Sequence, residues 1–150
     1  MKLRWGALVV VLVLSALMPS VLSAQGGRSP ARERKPGVLK QNYPNPFNPE
    51  TRIPFTIGDE VCTDPGRQYK VSLRIYNILS QLVAVPILQG GTGGVAGGQR
   101  IDGVMLTCGD YVAYWDGKYQ DSRKEVASGV YLYELRIDGS SEVRRMLVTK

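Results

Sequence analysis

Histidine is absent from all 150 residues, and cysteine occurs only twice, at Cys62 and Cys108. The first absence removes the imidazole that most often serves as general base and metal ligand, so a Ser-His or Cys-His hydrolase has no base for its nucleophile. Two isolated thiolates make a poor zinc site, since tetrahedral coordination asks for more ligands than they supply. No G-x-x-x-x-G-K-[ST] or G-x-G-x-x-G run opens a helical pattern, so a phosphate cradle for a nucleotide is missing. Asp110, Asp116, Asp121 and Asp138 do not follow the spacing of a calcium loop and read as solvated turn carboxylates. Sustained helical periodicity is missing as well. A catalytic residue, a cofactor and a resident metal are therefore not expected.

A long apolar run is scarce too. The one that exists, residues 7–17, comes after Lys2 and Arg4 and gives way to small residues at 21–24, which is the pattern of a secretory signal peptide spanning residues 1–24. It is shorter than the roughly 20 residues a membrane span needs, so no stable span is expected once the signal is removed. An exported chain meets an oxidising compartment, where a Cys62–Cys108 disulfide is the default and a reactive or metal-binding thiol the alternative.

The net charge of +6 raises the question of nucleic acid, and its distribution answers it. Residues 41–150 carry twelve basic and twelve acidic side chains, so the folded part has none of the net basic footprint that phosphate backbones require. The excess lies in the signal peptide and in residues 25–40, where Arg28, Arg32, Arg34, Lys35 and Lys40 face only Glu33. Rich in Gly, Ser, Pro and charge, this stretch reads as a disordered basic linker, with an anionic cell-surface polysaccharide as a partner it could touch. Val38 and Leu39 are its only aliphatic pair and are placed to dock at a sandwich edge.

Residues 41–57, QNYPNPFNPETRIPFTI, are the stretch around which the rest of the chain is organised. Pro44, Pro46 and Pro49 fix their own φ and push the residue before each into extended conformation, so the leader is stiff before anything packs on it. Asn45 and Asn48 can fold onto nearby backbone, and Phe47 is the one large apolar group available to plug a pocket. The stretch reads both as a clamp that starts the first strand and as a surface another protein could read. In residues 51–57 Ile53, Phe55 and Ile57 alternate with Arg52, Pro54 and Thr56; Pro54 cannot donate a ladder bond and suggests an edge strand. Tyr69, Val71, Leu73 and Ile75 alternate with Lys70, Ser72, Arg74 and Tyr76 in the cleanest strand of the chain. Residues 81–88 supply a third strand with Leu82 or Val83 inward. Residues 90–98 hold six glycines in nine positions and read as a flexible loop.

Two further strands are expected over 100–108 and 110–115, the second placing Tyr111, Ala113 and Trp115 on one side, with Trp115 as the central aromatic of the core. Residues 118–125 form a charged tip. Residues 130–137 carry Tyr131, Tyr133, Leu135 and Ile137 on one face and Val130 and Leu132 on the other, which predicts a central strand. A tight turn at Gly139 leads into the last strand, 142–149, in which a bulge near Arg144 and Arg145 would bring Val143, Met146 and Val148 inward. The total is about seven antiparallel strands in an all-β sandwich.

The leader, the run IYNILSQLV, the turn YWDG, and the closing VASGVYLYEL with RRMLVTK occur in one order across residues 41–150. In that order they resemble the immunoglobulin-like C-terminal sorting domains of the type IX secretion system, whose relatives include the immunoglobulin-like domain of the flagellar hook-capping protein. Ser80 stands where that family has a turn glycine, and the cysteines and the glycine tract interrupt the pattern. The resemblance implies an immunoglobulin-like sandwich over residues 41–150, carried through the periplasm and then to the cell surface or beyond. It also implies a protein secretion machinery or surface assembly as partner. The recognition candidates are Asn45, Pro46, Phe47, Asn48 and Pro49 in the leader, and Gly129, Tyr131, Arg144, Arg145 and Lys150 in the closing hairpin. Between the signal and the leader lie too few residues for a passenger, so two alternatives stand beside sorting: a free-standing structural or adhesive immunoglobulin-like protein, and the truncated tail of a larger surface protein.

Overall fold

The computed structural model of the chain describes residues 35–58, 62–91 and 96–150. The expected signal peptide, most of the linker and the centre of the glycine tract lie outside these. The described residues form nine strands: β1 Gly37–Leu39, β2 Thr51–Ile57, β3 Gln68–Tyr76, β4 Leu82–Ala84, β5 Ile87–Gly91, β6 Asp102–Thr107, β7 Gly109–Trp115, β8 Gly129–Ile137 and β9 Ser140–Val148. Among the described residues there is no helix. One sheet has the order β1-β2-β7-β5 and the other β4-β3-β8-β9, with β6 also on β3, and every pairing is antiparallel.

Period-two alternation decides which faces meet. Ile53, Phe55 and Ile57 of β2 and Tyr111, Ala113 and Trp115 of β7 are buried from one sheet; Val71, Leu73 and Ile75 of β3 and Tyr131, Tyr133, Leu135 and Ile137 of β8 are buried from the other. They form one continuous cluster, so the sheets make a β-sandwich whose interior is shared. Each of these side chains larger than alanine contributes on the order of 1.5 to 3 kcal/mol by leaving water. Two tyrosines reconcile a buried ring with a polar tip in the same way. Tyr111 Oη donates to the Thr107 carbonyl at 2.9 Å and Tyr131 Oη to the Ala127 carbonyl at 3.0 Å, in each case four residues upstream.

The count of nine exceeds the expected seven for two reasons. Packing starts before residue 41: β1 pairs with β2 through Gly37↔Ile57 to Leu39↔Phe55, and Leu39 is fully buried. Residues 81–91 hold two strands, because the chain leaves one sheet after Ala84 and joins the other at Ile87, across a Val85–Pro86 break where proline can donate no ladder bond. Of the two inward candidates there, Val83 is buried and Leu82 exposed.

Two other expectations are corrected. β2 is interior rather than an edge, lying between β1 and β7. Its Pro54 is tolerated because the residue faces the side where β1 has just ended, and there only its carbonyl is used, accepting from Lys40 N at 3.0 Å. β9 carries no bulge. The Asp138–Gly139 turn, with φ of 46° and 88°, is a two-residue connection with both residues left-handed, and it locks β8 and β9 into unbroken register from Ile137↔Ser140 to Gly129↔Val148. Met146 and Val148 are buried accordingly, but Val143 faces solvent, and the inward positions nearer the turn hold Glu142 and Arg144. β8 is central, between β3 and β9, although Val130 on its outer face is exposed.

Cys62 and Cys108 are joined in a disulfide with Cα atoms 5.8 Å apart and a sequence separation of 46. A loop of that size is worth about 4 kcal/mol in the chain-entropy model. Gly58 beside it is required twice: its φ is 89°, and a Cβ there would lie 2.9 Å from Cys108 Sγ.

The turn after β3 is organised by Asn77, whose Oδ1 accepts from Leu79 N and Gln81 N at 3.0 Å each. Its last residue, Ser80, sits at φ 59°. A side chain there carries the left-handed penalty that glycine escapes. Ser80→Gly is expected to raise stability by about 0.5 to 1 kcal/mol, read as a higher urea midpoint at unchanged m-value.

Candidate recognition surface

The leader does more than precede β2. Tyr43 and Arg52 exchange two backbone hydrogen bonds of 2.9 Å, which fixes the leader on the first sheet. Asn42, nearly fully buried, is satisfied throughout: its N donates to Tyr133 Oη at 3.1 Å, and its Nδ2 donates to the Pro44 carbonyl at 3.1 Å and to Thr51 Oγ1 at 3.0 Å. Thr51 Oγ1 in turn donates to the same Pro44 carbonyl at 3.0 Å. A buried amide with its partners in place rigidifies; the same amide unpaired would cost about 1 to 3 kcal/mol. Leaving this anchor, the chain crosses to the other sheet. Asn45 Oδ1 accepts from Leu147 N at 2.9 Å, Phe47 N donates to the Leu147 carbonyl at 3.0 Å, and Thr149 N donates to the Phe47 carbonyl at 3.0 Å. Residues about 100 apart in sequence are thereby joined, and the outer edge of β9 is covered along its last part.

Phe47 completes the arrangement. It is 1% exposed, meets the Trp115 ring edge-on at 5.5 Å, and Trp115 meets Tyr131 edge-on at 5.9 Å. Trp115 Nε1 donates to the Lys118 carbonyl at 2.9 Å, so the indole is both buried and satisfied. Next to the triad, Gly117 has φ 71°, and a Cβ there would lie 2.1 Å from the Pro49 carbonyl oxygen.

The ten recognition candidates thus divide. Phe47 and Tyr131 are interior and cannot be read directly from outside. Asn45 is spent on Leu147 N. Pro46, Asn48 and Pro49 are exposed, and among the described residues Asn48 makes no hydrogen bond. Gly129 opens β8 opposite Val148. Lys150 donates from N to Ser128 Oγ at 3.1 Å and pairs through Nζ with Glu125 at 3.1 Å. Arg144 lies 3.6 Å from Glu142, while its buried Nε has no hydrogen-bond partner. Glu142 also caps the first sheet by accepting from Leu39 N at 3.2 Å. Arg145 points outward, and its carbonyl accepts from Gln41 Nε2 at 3.3 Å. Leader and closing hairpin, two separate candidates in the sequence, therefore form one surface.

The four aspartates lie apart, each with its own neighbour: Asp110 with Thr56 and Lys40, Asp116 with Lys118, Asp121 with Arg100, Asp138 with Lys70 N and Arg67. The Thr56 hydroxyl, and after it Lys40, holds the Asp110 carboxyl below the usual range. Among the described residues no group of three or more Cys, Asp or Glu is placed to hold a metal, and no helix is long and apolar enough to cross a membrane.

Glu50 carries no sequence signal that marks it out, yet its Oε2 accepts from Tyr114 Oη at 2.7 Å and pushes the phenol up to about 12. A pKa raised from 10 stabilises the fold fully below pH 10 and progressively less as pH rises toward 12. Glu50→Gln is expected to return the Tyr114 titration toward 10, observed as phenolate absorbance, and to remove that part of the alkaline slope. Phe47→Ala is expected to cost about 3 to 5 kcal/mol by leaving a cavity against Trp115, measured by denaturant unfolding.

No family model, no curated protein and no solved structure matches this chain, so its own residues and their placement are the basis for its role.

Proposed function

We propose that the chain is a non-enzymatic, exported immunoglobulin-like module that acts as a type IX secretion sorting and cell-surface attachment signal. The observation that carries this reading is the fusion of leader and closing hairpin through Asn45, Phe47, Leu147 and Thr149, because it creates a rigid composite surface from the two stretches that resemble sorting domains. The immunoglobulin-like assignment is supported by strand order. Taking β1, β2, β7 and β5 as A, B, E and D, and β4, β3, β8 and β9 as C′, C, F and G, reproduces the two sheets of that fold, with β6 added. The Tyr131 hydroxyl bond near the start of β8 matches a tyrosine corner at the start of strand F. A disulfide between loops, and a core tryptophan on β7 rather than β3, set this chain apart from antibody domains.

In this reading the partner is the secretion machinery, the exposed Pro46, Asn48, Pro49 and Arg145 are what it touches, and Phe47 and Tyr131 hold that surface in shape. A second reading, a free-standing adhesive module, is favoured by the exposed aliphatics Ile78 and Leu79 at the β3–β4 turn. The test is a reporter fused to residues 35–150 behind a cleavable signal, in a host with and without the type IX translocon. Arrival outside the cell only when the translocon is present is expected. Retention in the periplasm of both strains would refute sorting and leave the adhesive module.

A further inference from the structure

A cleft of about 360 Å³ opens between the Ala84–Ile87 crossover on one side and the loop after β7 on the other. None of the recognition candidates lines it. Its floor is apolar, with Val85 and Trp115 buried beneath and Ile87 partly exposed, and its rim is charged. The loop wall is built rather than slack. Val126 N donates to the Gly117 carbonyl at 2.9 Å, Tyr119 N to the Lys124 carbonyl at 3.0 Å, and Gln120 N to the Val83 carbonyl at 2.9 Å, which pins the loop to β4. A ligand would meet groups already in position, which lowers the ordering cost of binding.

Three features of the rim define the ligand. Tyr119 keeps 37% of its surface open. Arg100 and Asp121 form a two-bond planar pair across the cleft, both ends exposed, so each retains donors or lone pairs that the other does not use. Arg123 has no hydrogen-bond or ion-pair partner among the described residues, whereas Lys118 is neutralised by Asp116. An apolar ring face beside paired planar hydrogen-bonding groups complements a pyranose, which has a C–H face and vicinal hydroxyls. A single uncompensated guanidinium adds a seat for one carboxylate. We infer that this cleft is a binding site for an acidic saccharide, a uronate unit stacked on Tyr119, hydrogen-bonded by Arg100 and Asp121 and held through its carboxylate by Arg123. A nucleotide would want more free cations than one. A peptide strand would want an open edge, and here the edges are taken: Leu88 N donates to the Gln99 carbonyl, Gly98 N to the Leu88 carbonyl, and Val83 accepts from Gln120 N.

The site stands independently of the sorting assignment. The test is calorimetric titration of the protein with trigalacturonate and with maltotriose at low and physiological salt. Trigalacturonate is expected to bind, maltotriose about tenfold or more weakly, Arg123→Ala to weaken trigalacturonate about tenfold at unchanged melting temperature with Arg123→Lys recovering part of the loss, and Tyr119→Ala to weaken it about tenfold under conditions where the variant is folded. Absence of trigalacturonate binding, equal binding of the neutral sugar, or binding that survives both substitutions and disappears only on deletion of residues 25–34 would each overturn it. The last outcome would assign the contact to the basic linker.

Discussion

A short bent piece of backbone, Asn45 to Phe47, holds the two sheets of this protein together along one side. Each sandwich sheet ends in strands whose outward N–H and C=O groups need partners, and such edges invite pairing with other chains. Here the leader anchors on β2 through Tyr43, crosses, and bonds to Leu147 of β9 and to Thr149 just after it. The same crossing drives the Phe47 ring between the layers, onto Trp115. Backbone closure and side-chain burial are therefore one event, and the buried Asn42–Thr51–Tyr133 group fixes the point from which the crossing starts.

Several other edges are guarded by other means. Gln120 caps β4, residues 98–100 cover β5, and the inward positions of β9 nearest its turn carry Glu142 and Arg144 instead of apolar groups. Charges placed toward the interior of an edge strand weaken it as a template for a second chain. The result is a sandwich that presents side chains and loops to a partner more readily than bare backbone.

Much of the framework is legible in the sequence because one face of each long strand is buried, and burial imposes alternation. β2, β3, β7 and β8 obey their sequence pattern residue by residue, and Phe47 and Trp115 occupy the interior as their size demands. Three features are hidden for identifiable reasons. β1 is three residues in a segment of linker composition, and its burial comes from pairing with Phe55 and Ile57, not from its own pattern. The break between β4 and β5 is masked by the apolar run around it, and the missing donor of Pro86 decides it only once both sheets are in place. The phase of β9 is misleading because Val143 looks like a core residue, while register is set by the Asp138–Gly139 turn. Of the candidate surface, the residues are visible but their union is not, since the bonds of Asn45 and Phe47 reach about 100 positions along the chain. The cleft is invisible because its walls come from separate stretches joined only by contacts such as Gln120 N to the Val83 carbonyl.

The Phe47 and Val148 segments run parallel, the only parallel contact among those described. Tension applied in opposite directions at residue 35 and at Lys150 would drag these two segments past one another lengthwise. The bonds of Phe47 with Leu147 and Thr149 would then bear load together instead of opening one after another, and the wedged ring would resist the slide. Such a seam resists pulling along its own length.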